Sequence, residues 1–375
     1  MFSPDERERY SRQVRLSEWG EAAQARVRAA SVLVVGAGGL GSPAALYLAG
    51  AGVGRLGIMD PDRVALSNLH RQVLYATSDI GTPKVRAARQ RLEGLNPHVE
   101  VKTHEAALTP NNALETIRGY DLVLDGTDAF ATRYLINDAC VIVGVPNVHG
   151  SVSAFSGQVL VARPDGPCYR CVFPEPPPPE AAPSCAEAGV IGVLPGLVGV
   201  LQAAEALKWI SGLGEPLAGR MLLADVLAMR FRDVAVERDP ACPVCGDAPT
   251  ITTITDAVHA IEAACGAFEP MPSISPSAAR DRLASGDAPF LLDVRSREER
   301  AVSDIGGAHI PLHELASRAD ELPPPEAGPV LLYCRSGGRS GVAVDLLRRR
   351  GYDAADIEGG MQRWAEEIDP SLQVA

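Results

Sequence analysis

The aliphatic run Val32-Leu33-Val34-Val35 feeds without a break into Gly36-Ala37-Gly38-Gly39-Leu40-Gly41, and this junction constrains the fold more than any other feature of the chain. A strand-like stretch that ends in a glycine-rich turn and restarts as a helix reads as the opening unit of a parallel sheet with crossover helices. Its glycines let backbone N–H groups approach an anion at the helix N-terminus. Asp60, which closes the next strand-like run, offers a carboxylate for ribose hydroxyls. Alone, the pattern serves NAD as well as ATP.

The alternation continues on both sides of this junction. Strand-like Ser31 to Val35, Leu56 to Asp60, Val99 to Thr103 and Leu122 to Asp125 are separated by helical stretches such as Ser42 to Ala51 and Pro83 to Glu93. A proline-rich break, Pro174 to Pro183, precedes an apolar helix ending in Leu207-Lys208-Trp209, then strand-like Met221 to Asp225 and Arg230 to Val236. From Asp247 to Pro272 Thr, Ala and Pro dominate with little periodicity, which places a linker there. Strand-like Phe290 to Val294, Val330 to Tyr333 and Ala355 to Ile357, with a helix from Ser340 to Arg350, predict a small second α/β domain. The expected organisation is residues 1–247, a linker at 248–272, and 273–375. The fold class is α/β: a Rossmann-like, doubly wound, mostly parallel sheet followed by a smaller α/β domain.

Charge and hydropathy exclude several roles. A formal net charge of −12 argues against a nucleic-acid partner, and the short Arg348-Arg349-Arg350 run reads as a solvated helix end. The segment Met1 to Gln13 lacks the apolar core of a secretory signal. The longest apolar stretch, Val190 to Leu201, is broken by Pro195 and glycines and falls short of a membrane span, so no membrane role and a cytoplasmic location are expected. Eight cysteines in such a chain then point to metal binding or thiol chemistry.

What separates ATP from NAD is the continuation Asp60-Pro61-Asp62-Arg63-Val64-Ala65-Leu66-Ser67-Asn68-Leu69-His70-Arg71-Gln72, with Lys84 beyond it and Asp128 in Asp125-Gly126-Thr127-Asp128. Hydride transfer needs no cluster of cations. In-line attack on an α-phosphate needs donors on the phosphates and a carboxylate for Mg²⁺. The set favours adenylyl transfer.

Over residues 5 to 247 these motifs resemble the bacterial MoeB and ThiF family, relatives of the ubiquitin-activating enzymes. The resemblance implies that Gly36, Gly38, Gly39 and Gly41 form the nucleotide turn, that Asp60 binds ribose, that Asn68, Arg71 and Lys84 hold the phosphates, and that Asp128 holds Mg²⁺. Arg12, in Arg9-Tyr10-Ser11-Arg12-Gln13, matches an arginine that reaches a neighbouring subunit's ATP, which implies a homodimer. One departure stands out: the family's Asp-Asn-Phe is here Asp128-Ala129-Phe130, so a polar contact near the phosphates is missing.

Two C-x-x-C pairs, Cys168-Tyr169-Arg170-Cys171 and Cys242-Pro243-Val244-Cys245, can supply four thiolates to a closed tetrahedral Zn²⁺ site of structural role. Many members of the family carry such a clip. A redox-active pair is the rival reading.

Cys334 follows the run Val330 to Tyr333 in Cys334-Arg335-Ser336-Gly337-Gly338-Arg339-Ser340, with a helix beginning beyond. Backbone N–H groups at a helix start and two arginines favour a reactive sulfur anion. The loop resembles the rhodanese active-site loop, supported by Leu292-Asp293-Val294-Arg295, Gly307-Ala308-His309-Ile310-Pro311 and Glu358-Gly359-Gly360, over about residues 273 to 370. A cysteine phosphatase is the runner-up, but only Arg335 to Gly338 lie between Cys334 and Arg339, and the position a phosphatase needs is Ser340.

Cys185, in Pro183-Ser184-Cys185-Ala186, occupies a place where family members carry a cysteine proposed to react with the carrier, although a packing or turn role is nearly as good a reading. Cys140 and Cys265 read as buried or incidental thiols. None of the seven histidines forms a ligand pair or triad pattern, and His70 reads as a contact residue.

Together the resemblances imply ATP-dependent adenylation of a ubiquitin-like sulfur carrier ending in Gly-Gly, followed by sulfur transfer from a Cys334 persulfide loaded by a cysteine desulfurase or another donor. Activation of a carrier for protein conjugation without sulfuration, and an NAD-dependent dehydrogenase, are the alternatives.

Overall fold

A computed structural model describes residues 2–176, 189–255, 272–285 and 288–374. The chain divides into two units, Met1–Cys265 and Gly266–Ala375.

The first unit is built on eight strands: β1 (Ser31–Val35), β2 (Arg55–Met59), β3 (Glu100–His104), β4 (Leu122–Asp125), β5 (Asn147–Ser153), β6 (Ser156–Ala162), β7 (Arg220–Asp225) and β8 (Arg230–Ala235), in the order β3-β2-β1-β4-β5-β6-β7-β8. Pairing is parallel from β3 through β5 and antiparallel from β5 through β8. β1 is an unbroken aliphatic run because both faces of the sheet are covered. Val32 and Val34 pack in one apolar cluster, with Leu48 and Leu56, whereas Leu33 and Val35 pack in another, with Ile117 and Ile136. β8 is the opposite case, exposed along its whole length and carrying Arg230, Arg232 and Asp233, as suits a sheet edge.

The sheet is mostly parallel, as expected, and an antiparallel extension from β5 through β8 completes it. Its β5, Asn-Val-His-Gly-Ser-Val-Ser, is buried over Asn147 to Ser151 yet carries polar side chains, so it shows no apolar signature. The apolar helix is also longer than its continuous apolar stretch suggests: Val193–Ser211, with Pro195 in the first turn, where a missing N–H costs nothing. It is long and apolar enough to cross a membrane. In this fold it packs instead on the Gly41–Ala51 helix and on β5 and β6. Its Gln202, fully buried, donates to Asp125 O (2.6 Å) and Val148 O (3.0 Å), tying together the ends of β4 and β5.

The second unit has five parallel strands, β9 (Ser273–Ile274), β10 (Phe290–Asp293), β11 (Ala308–His309), β12 (Val330–Tyr333) and β13 (Ala354–Ile357), in the order β11-β10-β12-β13-β9. Along β12 the faces alternate as a pleat requires. Val330, Leu332 and then Cys334 join the cluster containing Leu347, and Leu331 and Tyr333 join the one containing Trp364. Cys334 is thus the next inward position of a core strand.

Candidate nucleotide cleft, cysteine cluster and thiol loop

The order β2-β1-β4 makes the carboxyl ends of β1 and β4 the point where the chain winds in opposite directions, the place where open α/β sheets hold ligands. A cavity of about 300 Å³ opens there. Its wall includes Gly36, Gly38, Gly39, Asp60, Asn68, Arg71, Lys84 and Asp128, brought together from four separate stretches of sequence. Gly41 stands behind the wall: a Cβ there would lie 1.9 Å from Gly36 O, so its role is to seat the helix against the strand end. Gly36 has φ +88°, and a Cβ on it would meet Gly126 O at 2.8 Å, so the loops after β1 and β4 touch through bare backbone. Arg12, on the short Ser11–Val14 helix, is exposed and does not line the cavity.

The acidic and basic groups of the wall are already in partnership. Asp60, almost fully buried, accepts from Ala37 N (2.8 Å) and Asp62 N (2.9 Å), so it shapes the glycine turn as well as facing the cavity. Burial raises its proton affinity despite the ammonium of Lys84. Lys84 Nζ lies 2.7 Å from Asp62 Oδ2 and 3.6 Å from Asp60 Oδ1. Asn68 Oδ1 accepts from Ala65 N at 3.0 Å, and Arg71 reaches Ser67 O (2.9 Å) and the His70 ring (2.8 Å). Asp128 is exposed at the cavity mouth, a hard oxygen donor of the kind Mg²⁺ takes. Gln72, quoted in the motif without a role, is a buried wall residue whose Oε1 has no partner among the described residues. Ala129, the departure from the family pattern, stands at the N-cap of the Phe130–Val143 helix.

Behind Asp128 lies a buried polar chain that no triad pattern in the sequence announces. Asp125 Oδ1 accepts from Thr127 N (3.0 Å) and Oγ1 (2.7 Å), and its Oδ2 faces His149 Nδ1 at 2.9 Å. Burial holds His149 below the usual imidazole value, so the neutral ring donates to a carboxylate. The His149 ring packs 4.6 Å from Tyr169, the neighbour of Cys168, and Arg170 forks onto Asp138 (2.8 and 2.7 Å).

Cys168, Cys171, Cys242 and Cys245 converge, all four sulfurs within 4.8 Å of one another. Cys168 and Cys242 are 3.7 Å apart and Cys171 and Cys245 3.3 Å, close to the ~3.8 Å edge of a tetrahedron with Zn–S bonds of ~2.3 Å. The donor set therefore fits a tetrahedral metal. Hydrogen bonding from Cys168 pulls the Cys242 thiol below its usual value. Cys140, buried in the Phe130–Val143 helix, is pushed well up by burial. Cys185 and Cys265 lie outside the described residues.

In the second unit Cys334 is 1% exposed. Gly337 N donates to its Sγ at 3.1 Å and the Ser340 hydroxyl at 3.2 Å. Gly337 adopts φ +97°, turning the chain into the Gly338–Arg349 helix. The two arginines expected to charge this sulfur are differently placed. Arg339 forks onto Glu299 (2.6 and 2.6 Å), holding that carboxyl down to about 2, and Arg335 is exposed. Among the described residues, the Gly337 amide and the Ser340 hydroxyl are donors to the sulfur. Glu299 and Asp356 are the acidic neighbours that sequence reasoning missed, because they come from other elements of the unit.

A doubly wound nucleotide-binding unit followed by a cysteine-loop unit defines a two-domain class of group-transfer protein. The chain belongs to the ThiF family, whose profile matches residues 10–244, and the Rhodanese-like domain profile matches residues 275–367. It is 54% identical over 271 residues, 71% of this chain and 98% of the relative, to a protein of Thermus thermophilus named sulfur carrier protein adenylyltransferase. It is 43% identical to the adenylyltransferase and sulfurtransferase MOCS3 of Anopheles gambiae (99% of this chain, 89% of that one). It is 41% identical to the probable adenylyltransferase/sulfurtransferase MoeZ of Mycobacterium tuberculosis (99% and 96%). Among solved structures, E. coli MccB shares the fold at TM-score 0.56 and 22% identity, over 64% of this chain and 74% of that one.

Proposed function

We propose that this enzyme adenylates the C-terminal glycine of a ubiquitin-like sulfur carrier and then converts the adenylate to a thiocarboxylate. The observation that supports it most directly is the presence, on one chain, of a cleft of about 300 Å³ at the sheet's switch point and a buried cysteine on a strand-to-helix loop. Residues 1–247 form the adenylating domain, 248–272 the linker and 273–375 the sulfurtransferase domain.

ATP is the co-substrate. The carrier's carboxylate attacks the α-phosphate and pyrophosphate leaves, giving an acyl adenylate. The glycine turn receives phosphate oxygens on backbone N–H groups, Asp60 faces the ribose, and Asn68, Arg71 and Lys84 hold the phosphates, Lys84 exchanging Asp62 for them. Asp128 would hold Mg²⁺, which supplies charge neutralisation on the phosphates. The four cysteines hold Zn²⁺ as a structural clip. Arg12, exposed and away from its own cleft, serves the cleft of a second subunit in a homodimer.

In the second half-reaction the terminal sulfur of a Cys334 persulfide, loaded by a cysteine desulfurase or another donor, attacks the adenylate carbonyl and AMP leaves. A thiol, for which we nominate Cys185, then attacks the Cys334 sulfur. The carrier thiocarboxylate is released, and a cellular dithiol reduces the resulting disulfide. The thiol chemistry supports a cytoplasmic location.

The test is intact-mass spectrometry of a Gly-Gly carrier incubated with enzyme, Mg·ATP and a sulfur donor. The expected product has one sulfur in place of oxygen. AMP formation without that mass change would confine the enzyme to activation for conjugation.

A further inference from the structure

Beside the Cys334 loop lies a carboxyl that the reaction above leaves without a task. Asp356, on β13, is 6% exposed, and its Oδ1 has no hydrogen-bond partner among the described residues. Its Oδ2 faces the loop, where a Cβ on Gly337 would come within 3.5 Å of it. The Ser340 hydroxyl lies close to the same carboxyl and also 3.2 Å from Cys334 Sγ, with Gly337 O at 3.3 Å as its other acceptor. Ser340 is fully buried between the two.

A buried carboxyl without a cation usually stays protonated or does something. Among the described residues Asp356 has no ion pair with a cation, and Arg363, on the helix after β13, is held by Glu358 and Glu367. The flanking strands place Leu332 and Ser273 beside it, the preceding helix contributes Ser340, and the loop contributes Cys334 and Gly337. Glu358 adds negative charge, Arg339 is committed to Glu299, and Arg335 is exposed. Burial first, and Glu358 after it, push Asp356 up to about 7.

We propose that Asp356 is a positioning residue for Cys334, deciding through the Ser340 hydroxyl whether the sulfur anion is hydrogen-bonded and so how readily it accepts sulfur. The inference rests on Cys334 being the sulfur-carrying residue. A protonated Asp356 donates to Ser340 Oγ and leaves the Ser340 O–H free for Sγ. An ionised Asp356 accepts that O–H, removes a donor from the sulfur and sets a second negative charge beside it. Sulfur uptake by the thiolate is therefore damped as Asp356 loses its proton.

The experiment uses the full chain and thiosulfate as probe. The Cys334 thiolate attacks the outer sulfur, the S–S bond of thiosulfate breaks, and sulfite leaves with the bonding pair, so no proton moves. Single-turnover sulfite release, with the modified site confirmed by peptide mass, is followed from about pH 6 to about pH 9. In the wild type the rate should carry a damping step near the value set by burial. D356N should lack it, being about fivefold faster at about pH 8.5 and nearly equal at about pH 6. In the S340A background the D356N effect should disappear. Folding does not obstruct the test. A carboxyl raised in the fold holds its proton more tightly there than in the unfolded chain, so ionisation above about 7 costs stability that the uncharged asparagine avoids. Superposed wild-type and D356N profiles overturn the proposal, as does a D356N effect that survives S340A. A C334A enzyme that still makes thiocarboxylate would instead overturn the reading of Cys334.

Discussion

The glycine turn after β1 and the cysteine loop after β12 are the same device, a core strand of a parallel sheet running through a tight turn into a helix, used for opposite ends. After β1 the turn shows bare backbone to an open cavity, and the charges around it have partners a ligand can replace or face solvent: Lys84 on Asp62, an exposed Asp128, Arg71 on a carbonyl. After β12 the turn closes over a single sulfur, shuts out solvent, and commits its arginine to Glu299. One loop is arranged to receive a large anion and release it. The other is arranged to keep a small anion in place. A shared strand-turn-helix geometry therefore says where chemistry happens, and burial and ion pairing say which kind.

The comparison breaks most sharply if the two loops are not independent. Cys334→Ala should lower thiocarboxylate formation by about a thousandfold while carrier-dependent ATP–pyrophosphate exchange stays within about twofold, because the sulfur enters after the adenylate forms. Lys84→Ala should lower exchange by about a hundredfold and leave thiosulfate sulfur transfer at Cys334 intact. Loss of both activities in either variant would sink the division of labour.

The cysteine cluster is the next test, since all four of its cysteines belong to the first unit. Elemental analysis should give about one zinc per chain. Cys242→Ser should lose it, and the adenylating unit should lose about 3 kcal/mol or more in denaturant unfolding, with the second unit's transition unmoved. A zinc-free wild type whose C-x-x-C pairs oxidise would revive the redox reading.

In the second unit, Glu299→Gln sharpens the claim that the arginine is held away from sulfur. The Glu299 carboxyl is depressed in the fold to about 2, so its contribution is present above the unfolded value of ~4.3 and is lost as pH falls through about 2. We expect the variant to be less stable by about 1 kcal/mol at neutral pH, a figure discounted for partial exposure, and to match the wild type in strong acid. Thermal unfolding across pH reads it. An equal deficit at every pH would mean that the pair contributes by packing rather than charge.

How much of this was legible in the sequence follows from where the determining interactions lie. The bounds of β1, β4 and β12 match the strand-like runs because each is an aliphatic segment buried on both faces and ended by a turn. The cavity residues could be named because their motif spacing is local. β5 was invisible, since its buried positions include the polar side chains of Asn147, His149 and Ser151 in place of an aliphatic run. His149 on Asp125, Arg339 on Glu299 and Ser340 beside Asp356 were invisible for a related reason: each pairs elements far apart in the chain, and no periodicity marks them.

The smallest effect concerns Ala129, where the chain departs from its family between Asp128 and Phe130. Ala129 sits at the N-cap of the Phe130–Val143 helix with extended φ of −96° and no side-chain oxygen to offer the first turn. That helix starts at the mouth of the nucleotide cleft, and its opposite end leads toward β5, so its anchorage bears on the loop carrying Asp128. Asparagine is among the best N-cap residues, and Ala129→Asn should stabilise the first unit by about 0.5 kcal/mol, seen as a small rise in its unfolding midpoint. If the family's asparagine acts mainly as a cap, the KM for ATP will be unchanged. If KM falls severalfold with no gain in stability, the side chain reaches the phosphates, and the cleft after β1 takes one more polar ligand than the sulfur loop after β12.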